Sequence, residues 1–110
     1  MTYDEATQTV EQFLLQEAEK INSFGSALPN YVNPNTELQI IHENTEAHEF
    51  GWVFFYNSKK YIETKDISYT LAGNAPLIVV KSSQNIIVTG TAHPISHYVE
   101  NYIRTGDPNG

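Results

Sequence analysis

The period of the hydrophobic pattern changes twice along the chain, and this limits the folds open to it. At the N-terminal end Ala6, Val10, Phe13, Leu14, Ala18 and Ile21 recur at helical spacing and form one apolar stripe. At the C-terminal end Ile95, Tyr98, Val99, Tyr102 and Ile103 do the same. Everything apolar between them comes in short β-branched or aromatic runs. The spacing predicts a helix over 3–21, with Thr2 as N-cap and Asp4 and Glu5 suited to the positive end of the helix dipole. Gly25 is a late stop signal. A second helix is predicted over 94–104, with Pro94 in its first turn and Gly106 ending it. Asp107–Gly110 reads as a frayed tail.

Four strands are predicted between the helices: Glu37–His42, Phe50–Tyr56, Leu77–Lys81 and Ile86–Thr89. Each is bounded by turn residues. Glu43–Glu49 joins the first to the second, and Ser82–Asn85 joins the third to the fourth. These polar connections are short enough for antiparallel hairpins and too short for parallel crossovers. Residues 22–36, punctuated by Pro29 and Pro34, read as a long loop. Residues 57–76 carry Tyr61, Ile62, Ile67, Tyr69 and Leu71, and are expected to hold a further short strand or a packed turn. The resulting expectation is an α+β fold: a two-layer sandwich in which the N- and C-terminal helices pack on one face of an antiparallel sheet of four to five strands. The whole chain, 1–110, reads as one domain with its core at about 3–105. One strand complicates this picture. Trp52, Phe54 and Tyr56 point to one side while Val53 and Phe55 point to the other. Either loops cover the second face, or it is an exposed apolar patch suited to a protein partner or a homodimer.

Charge and composition narrow the function. The formal net charge is −7, and it is unevenly distributed. Residues 1–50 hold nine acids and one base, Lys20, whereas residues 51–110 hold four acids and five bases. An acidic surface repels phosphate backbones, so no nucleic-acid partner is expected; a basic protein partner is. There is no cysteine, which removes disulfides and thiolate chemistry and fits a reducing, cytoplasmic setting. The opening MTYDEATQTV carries acids where a signal peptide carries bases, and no apolar run approaches the ~20 residues of a membrane helix. No membrane partner is expected.

The chain offers little chemistry. His93 and His97 are four apart, as in a helical zinc pair, but the segment lacks the adjoining glutamate, Pro94 places His93 at the helix start, and no third ligand is near in sequence. His42 and His48 flank an acidic hairpin that reads more simply as solvated. No Gly-x-Ser-x-Gly elbow is present. Gly73-Asn74-Ala75-Pro76 has no lysine after it and leads into a strand, so it is not a phosphate cradle. No catalytic, cofactor-binding or metal-binding residue is therefore assigned, and the protein is not expected to be an enzyme.

Several short motifs agree in order and spacing with a known family. Gly51-Trp52-Val53-Phe54 with Tyr56-Asn57-Ser58, then Gly73-Asn74-Ala75-Pro76-Leu77-Ile78-Val79, then Thr89-Gly90-Thr91-Ala92 and a helix with Tyr98 and Tyr102, resemble the immunity protein 35 (YrhB-like) family. The likeness covers roughly 5–105. It departs where a glycine-containing charged turn is expected after the third strand, since this chain has Ser82-Ser83-Gln84-Asn85. The resemblance implies a bacterial immunity protein that binds and neutralises the toxin of a polymorphic toxin system. It also implies a scaffold role for Gly51, Trp52, Gly73, Asn74, Pro76 and Gly90. It supplies no binding residues. Charge alone nominates Glu43, Glu46 and Glu49 on the hairpin, and Glu11 and Glu19 on the first helix, to meet a basic toxin surface. The competing expectation is a chaperone-like or scaffold protein that binds clients through an exposed apolar sheet face.

Overall fold

The first helix, α1 (Tyr3–Ser23), starts on a complete capping box. The Thr2 hydroxyl accepts the Glu5 amide at 3.2 Å, and the Glu5 carboxylate accepts the Thr2 amide at 2.9 Å, which satisfies two of the amides that a helix start leaves without partners. These bonds hold the exposed Glu5 carboxyl below its ordinary pKa of 4.5. Ala6, Val10 and Leu14 are buried along one side. The helix ends at a Phe24 cap, and Gly25 follows in the left-handed region at φ 77°. The computed structural model describes residues 1–71 and 74–109. After α1 come β1 (Leu38–Ile40), a 3-10 turn (His42–Asn44), β2 (Glu46–His48), β3 (Gly51–Phe54) and β4 (Tyr56–Ser58). Then follow α2 (Lys59–Thr64), a second 3-10 turn (Ile67–Tyr69), β5 (Leu77–Val80), β6 (Ile86–Val88) and α3 (Ile95–Thr105).

The strands form two antiparallel sheets, β1-β4 and β2-β3-β5-β6. Two expectations change here. The 50–56 run divides at Phe55 into β3 and β4, and the acidic connection 43–49 contributes a strand of its own, β2. Residues 38–58 thus make one long hairpin. Its base pairs Leu38 with Ser58 and Ile40 with Tyr56, and its tip pairs Glu46 with Val53 and His48 with Gly51. The 3-10 turn interrupts one arm and Phe55 the other, so base and tip fall in different sheets. β2 is an edge strand covered on one side only, and its polar sequence therefore carries no apolar alternation to reveal it.

The class is α+β as expected, but the helices do not share a face. Trp52, Phe54, Leu77 and Val79 form one core with Ala6, Val10 and Leu14 of α1. Val53, Ile78 and Val80 form a second core with Val99 of α3, with Ile95 and Tyr102 packed against it. The four-stranded sheet is a middle layer between α1 and α3. The cause lies in β3 and β5, which are buried at every position. Successive side chains of a strand face opposite ways, so an all-apolar strand needs cover on both sides. Neither loop cover nor an open apolar face describes the second side, because α3 occupies it. Where a further short strand or a packed turn was expected, residues 59–69 supply the short helix α2 and a 3-10 turn.

The family-like motifs become specific contacts. A Cβ on Gly51 would lie 1.8 Å from the Val79 carbonyl oxygen, so β3 and β5 can pair there only across glycine. A Cβ on Gly90 would meet the buried Tyr98 ring, with its hydroxyl oxygen 2.5 Å away. The Pro76 carbonyl accepts both the amide and the hydroxyl of Thr89, at 3.1 and 2.6 Å. Asn74 donates to the Tyr56 carbonyl at 2.8 Å. Trp52 is buried under α1, with the Lys81 ammonium 5.0 Å from its ring centre. Gly73 lies outside the described residues. Buried Asn57 ties segment 70–71 to β4, donating to the Thr70 hydroxyl and accepting the Leu71 amide at 3.1 and 3.0 Å. In the 82–85 turn Gln84 takes φ 60°, the conformation a glycine would supply without strain. The tail is less frayed than expected: Pro108 is fully buried, and its carbonyl accepts the Asn101 amide at 3.1 Å.

Candidate partner-binding groove

Glu11, Leu14, Leu15, Ala18, Glu19 and Asn22 recur at helical spacing and so lie along one side of α1. Opposite them runs the chain from Thr36 to Ile40. Between the two lies a groove of about 550 Å³ lined by these residues and His42. Leu15 is 61% exposed, which leaves an apolar side chain open to solvent in an otherwise charged rim. Glu11, Glu19 and Glu37 are the ionisable carboxylates of the lining, which contains no Lys or Arg. Lys59 reaches Glu37 at 3.4 Å and Glu63 at 4.0 Å; such exposed pairs are worth little, so Glu37 remains available to another cation. Desolvation of the half-buried hydroxyl, and then the Glu17 charge on α1, push Tyr56 above its ordinary pKa.

The groove is closed at one end by a side-chain clamp. Asn22 donates its amide to the Thr36 carbonyl at 3.0 Å and accepts the Thr36 amide at 2.7 Å. The sequence had suggested Glu11 and Glu19 as partner-facing, and the structure brings both into this groove. It adds Glu37, Leu15 and Asn22, which sequence reasoning passed over because they fell at a strand start, on an exposed helix face and in a presumed loop.

The three hairpin glutamates do not line the groove, although His42, next to Glu43, does. Glu43 lies in the 3-10 turn and Glu49 beyond β2, both exposed, while Glu46 is half-buried and 3.0 Å from the His48 ring. His48 stacks on Phe50 at 4.9 Å, and Phe50 meets Tyr102 of α3 edge-on at 4.9 Å. The hairpin tip is thus tied to the C-terminal helix. At the other end of the molecule's chemistry, the His93 and His97 rings lie 4.2 Å apart, and His97 also lies 3.2 Å from the Asn101 amide. Among the described residues no group of three or more His, Cys, Asp or Glu is placed to hold a metal, and no helix is long and apolar enough to cross a membrane.

The sequence pattern of the immunity protein 35 family matches residues 4–103. The chain belongs to that family. It is also 42% identical over 76 residues to the uncharacterized protein YrhB of Escherichia coli K12, a match covering 69% of this chain and 81% of the relative. No solved structure matches the chain at a significant level. In this immunity protein 35 member, Gly51, Asn74, Pro76, Thr89 and Gly90 serve sheet pairing and strand-end contacts, and none of the described motif residues lines the groove.

Proposed function

We propose that this protein binds a cognate bacterial toxin domain with a basic surface and neutralises it in the cytoplasm of the producing cell. Membership of the immunity protein 35 family over residues 4–103 carries this reading. The charge distribution supports it: a surface with nine acids in its first fifty residues and a groove rimmed by Glu11, Glu19 and Glu37 suits fast, steered association with a cationic partner. Glu43, Glu46 and Glu49 extend the negative surface along the hairpin. The chaperone-like alternative relied on an exposed apolar sheet face, and so did the expectation of a homodimer. Because α1 and α3 cover the two faces of the larger sheet, neither retains that support.

The test is co-expression with the toxin domain encoded beside this gene. Expected are restored growth of the toxin-producing cells and a stable complex of the two purified proteins. Continued toxicity at full expression of the folded protein, together with no complex, would refute the proposal.

A further inference from the structure

Among the described residues no strand lies beside the outer edge of β1, which faces the groove. In the β1-β4 ladder the Ile41 amide donates to the Phe55 carbonyl, and the Lys59 amide to the Glu37 carbonyl, at 2.8 and 2.9 Å. Backbone direction alternates along a strand. Residues 37, 39 and 41 therefore point at β4, and residues 36, 38 and 40 point away from it. At Thr36 the outward amide and carbonyl are both taken by the Asn22 side chain, a two-point pairing of the kind a neighbouring strand makes. Asn22 lies on α1 and lines the groove, so the outward edge looks into it. The next outward positions, Leu38 and Ile40, line the same groove and pair with no strand among the described residues.

Taking the proposed function as its basis, we infer that the groove receives an extended, basic segment of the toxin as an additional strand on β1, its main chain pairing with Leu38 and Ile40. The dimensions agree. From Glu11 to Asn22 the helix rises about 16 Å, the length of about five extended residues. Side chains of an added strand alternate across it. One set would lie against Leu15 and Ala18, and lysine or arginine at the rim would meet Glu11, Glu19 and Glu37. Main-chain pairing makes the groove tolerant of side-chain changes, while the carboxylates select for positive charge.

The experiment uses the full-length protein and the adjoining toxin domain. Amide exchange is followed with and without toxin, and binding is measured for two variants: Glu11→Lys/Glu19→Lys/Glu37→Lys in the groove, and Glu43→Lys/Glu46→Lys/Glu49→Lys on the hairpin. The inference requires exchange at Leu38 and Ile40 to slow at least about tenfold in the complex. It also requires the groove variant to bind at least about tenfold more weakly, the scale of charged interface contacts, and more weakly than the hairpin variant. The reversed groove side chains sit at the solvent-facing rim, and circular dichroism verifies that the variant is folded; the exchange arm needs no variant at all. If the wild-type protein binds toxin while Leu38 and Ile40 exchange as before, strand addition is wrong and the immunity reading stands. If wild-type protein neither binds nor protects, both fall together.

Discussion

Placing the sheet between two helices has a direct energetic consequence. Leu77 and Ile78 are neighbours on β5, both fully buried, one under α1 and the other in the core with α3. Truncating either to alanine removes three carbon groups, at about 0.8 kcal/mol each for burial. The cavity left behind brings such substitutions to about 2–5 kcal/mol. The total stability of a domain is about 5–15 kcal/mol, so each variant should unfold at clearly lower urea, with an unchanged slope. Trp52 is the sole tryptophan and is buried, so its fluorescence reports the transition. Truncation size alone does not assign a face, but a double-mutant cycle does. Val99→Ala on α3 should couple to Ile78→Ala by about 0.5–3 kcal/mol and add to Leu77→Ala within about 0.5 kcal/mol. Val10→Ala on α1 should show the reverse pattern. Ile78→Ala within about 0.5 kcal/mol of wild type, or Val99 coupled to Leu77 instead of Ile78, would refute the three-layer arrangement.

Three further outcomes follow from single contacts. Gly51→Ala should cost more than the ~1–3 kcal/mol of ordinary overpacking, because the added carbon meets the Val79 backbone; a urea midpoint near wild type would disprove the close approach. Gln84→Gly should raise stability by up to about 1 kcal/mol by relieving a left-handed backbone,, and a lower midpoint would show that the Gln84 side chain matters more than its φ. The lowered pKa of Glu5 gives α1 support that is present above the ordinary carboxyl range and disappears as pH falls through the folded value,. Glu5→Gln keeps a capping side chain that does not titrate, so its stability between pH 5 and 2 should fall less steeply than the wild type's (pH values being about those of the carboxyl range); parallel profiles would remove the capping box as the cause.

The sequence made some elements plain and hid others for identifiable reasons. α1 and α3 were legible because each carries an amphipathic stripe and end signals that stand in the structure: Thr2 at one start, Gly106 in the left-handed region at one end. β5 was legible as a dense apolar run. β2 was not, because Glu46-Ala47-His48 forms a half-covered edge whose partners are supplied by β3. The break at Phe55 was equally hidden, since a continuous aromatic run gives no sign that its two halves join different sheets. The placement of α3 was available in principle: alternation across Trp52–Tyr56 shows two apolar faces, but nothing local says whether a loop, a partner or a helix covers the second. Of the site, the carboxylates of α1 were visible through charge. The strand edge opposite them was not, because an unpaired backbone direction is a property of register and leaves no mark on side-chain type.

The hairpin's change of sheet also separates the residues that fix the main sheet from the carboxylates of the proposed binding groove. Had 38–42 paired directly with 50–54, its outer edge would have been the edge of the main sheet, tied to the packing of Trp52 and Phe54. Instead the 3-10 turn at His42–Asn44 hands that edge position to β2 and leaves the backbone edge of β1 in a two-stranded ribbon beside α1, while Ile40 and Leu38 still pack with Trp52 and Phe54. The residues that fix the main sheet, Gly51, Trp52, Pro76 and Gly90, then bear on β3, β5 and the approach to α3. Glu11, Leu15, Glu19 and Glu37 project from α1 and the start of β1, where substitution costs little beyond solvent exposure. On the proposed function, a fold divided in this way lets the groove follow a changing partner while the central sheet remains constant. It follows that swapping these four groove side chains between family members should transfer toxin preference without loss of stability beyond about 1 kcal/mol, whereas exchange of the sheet residues should alter stability and leave preference unchanged.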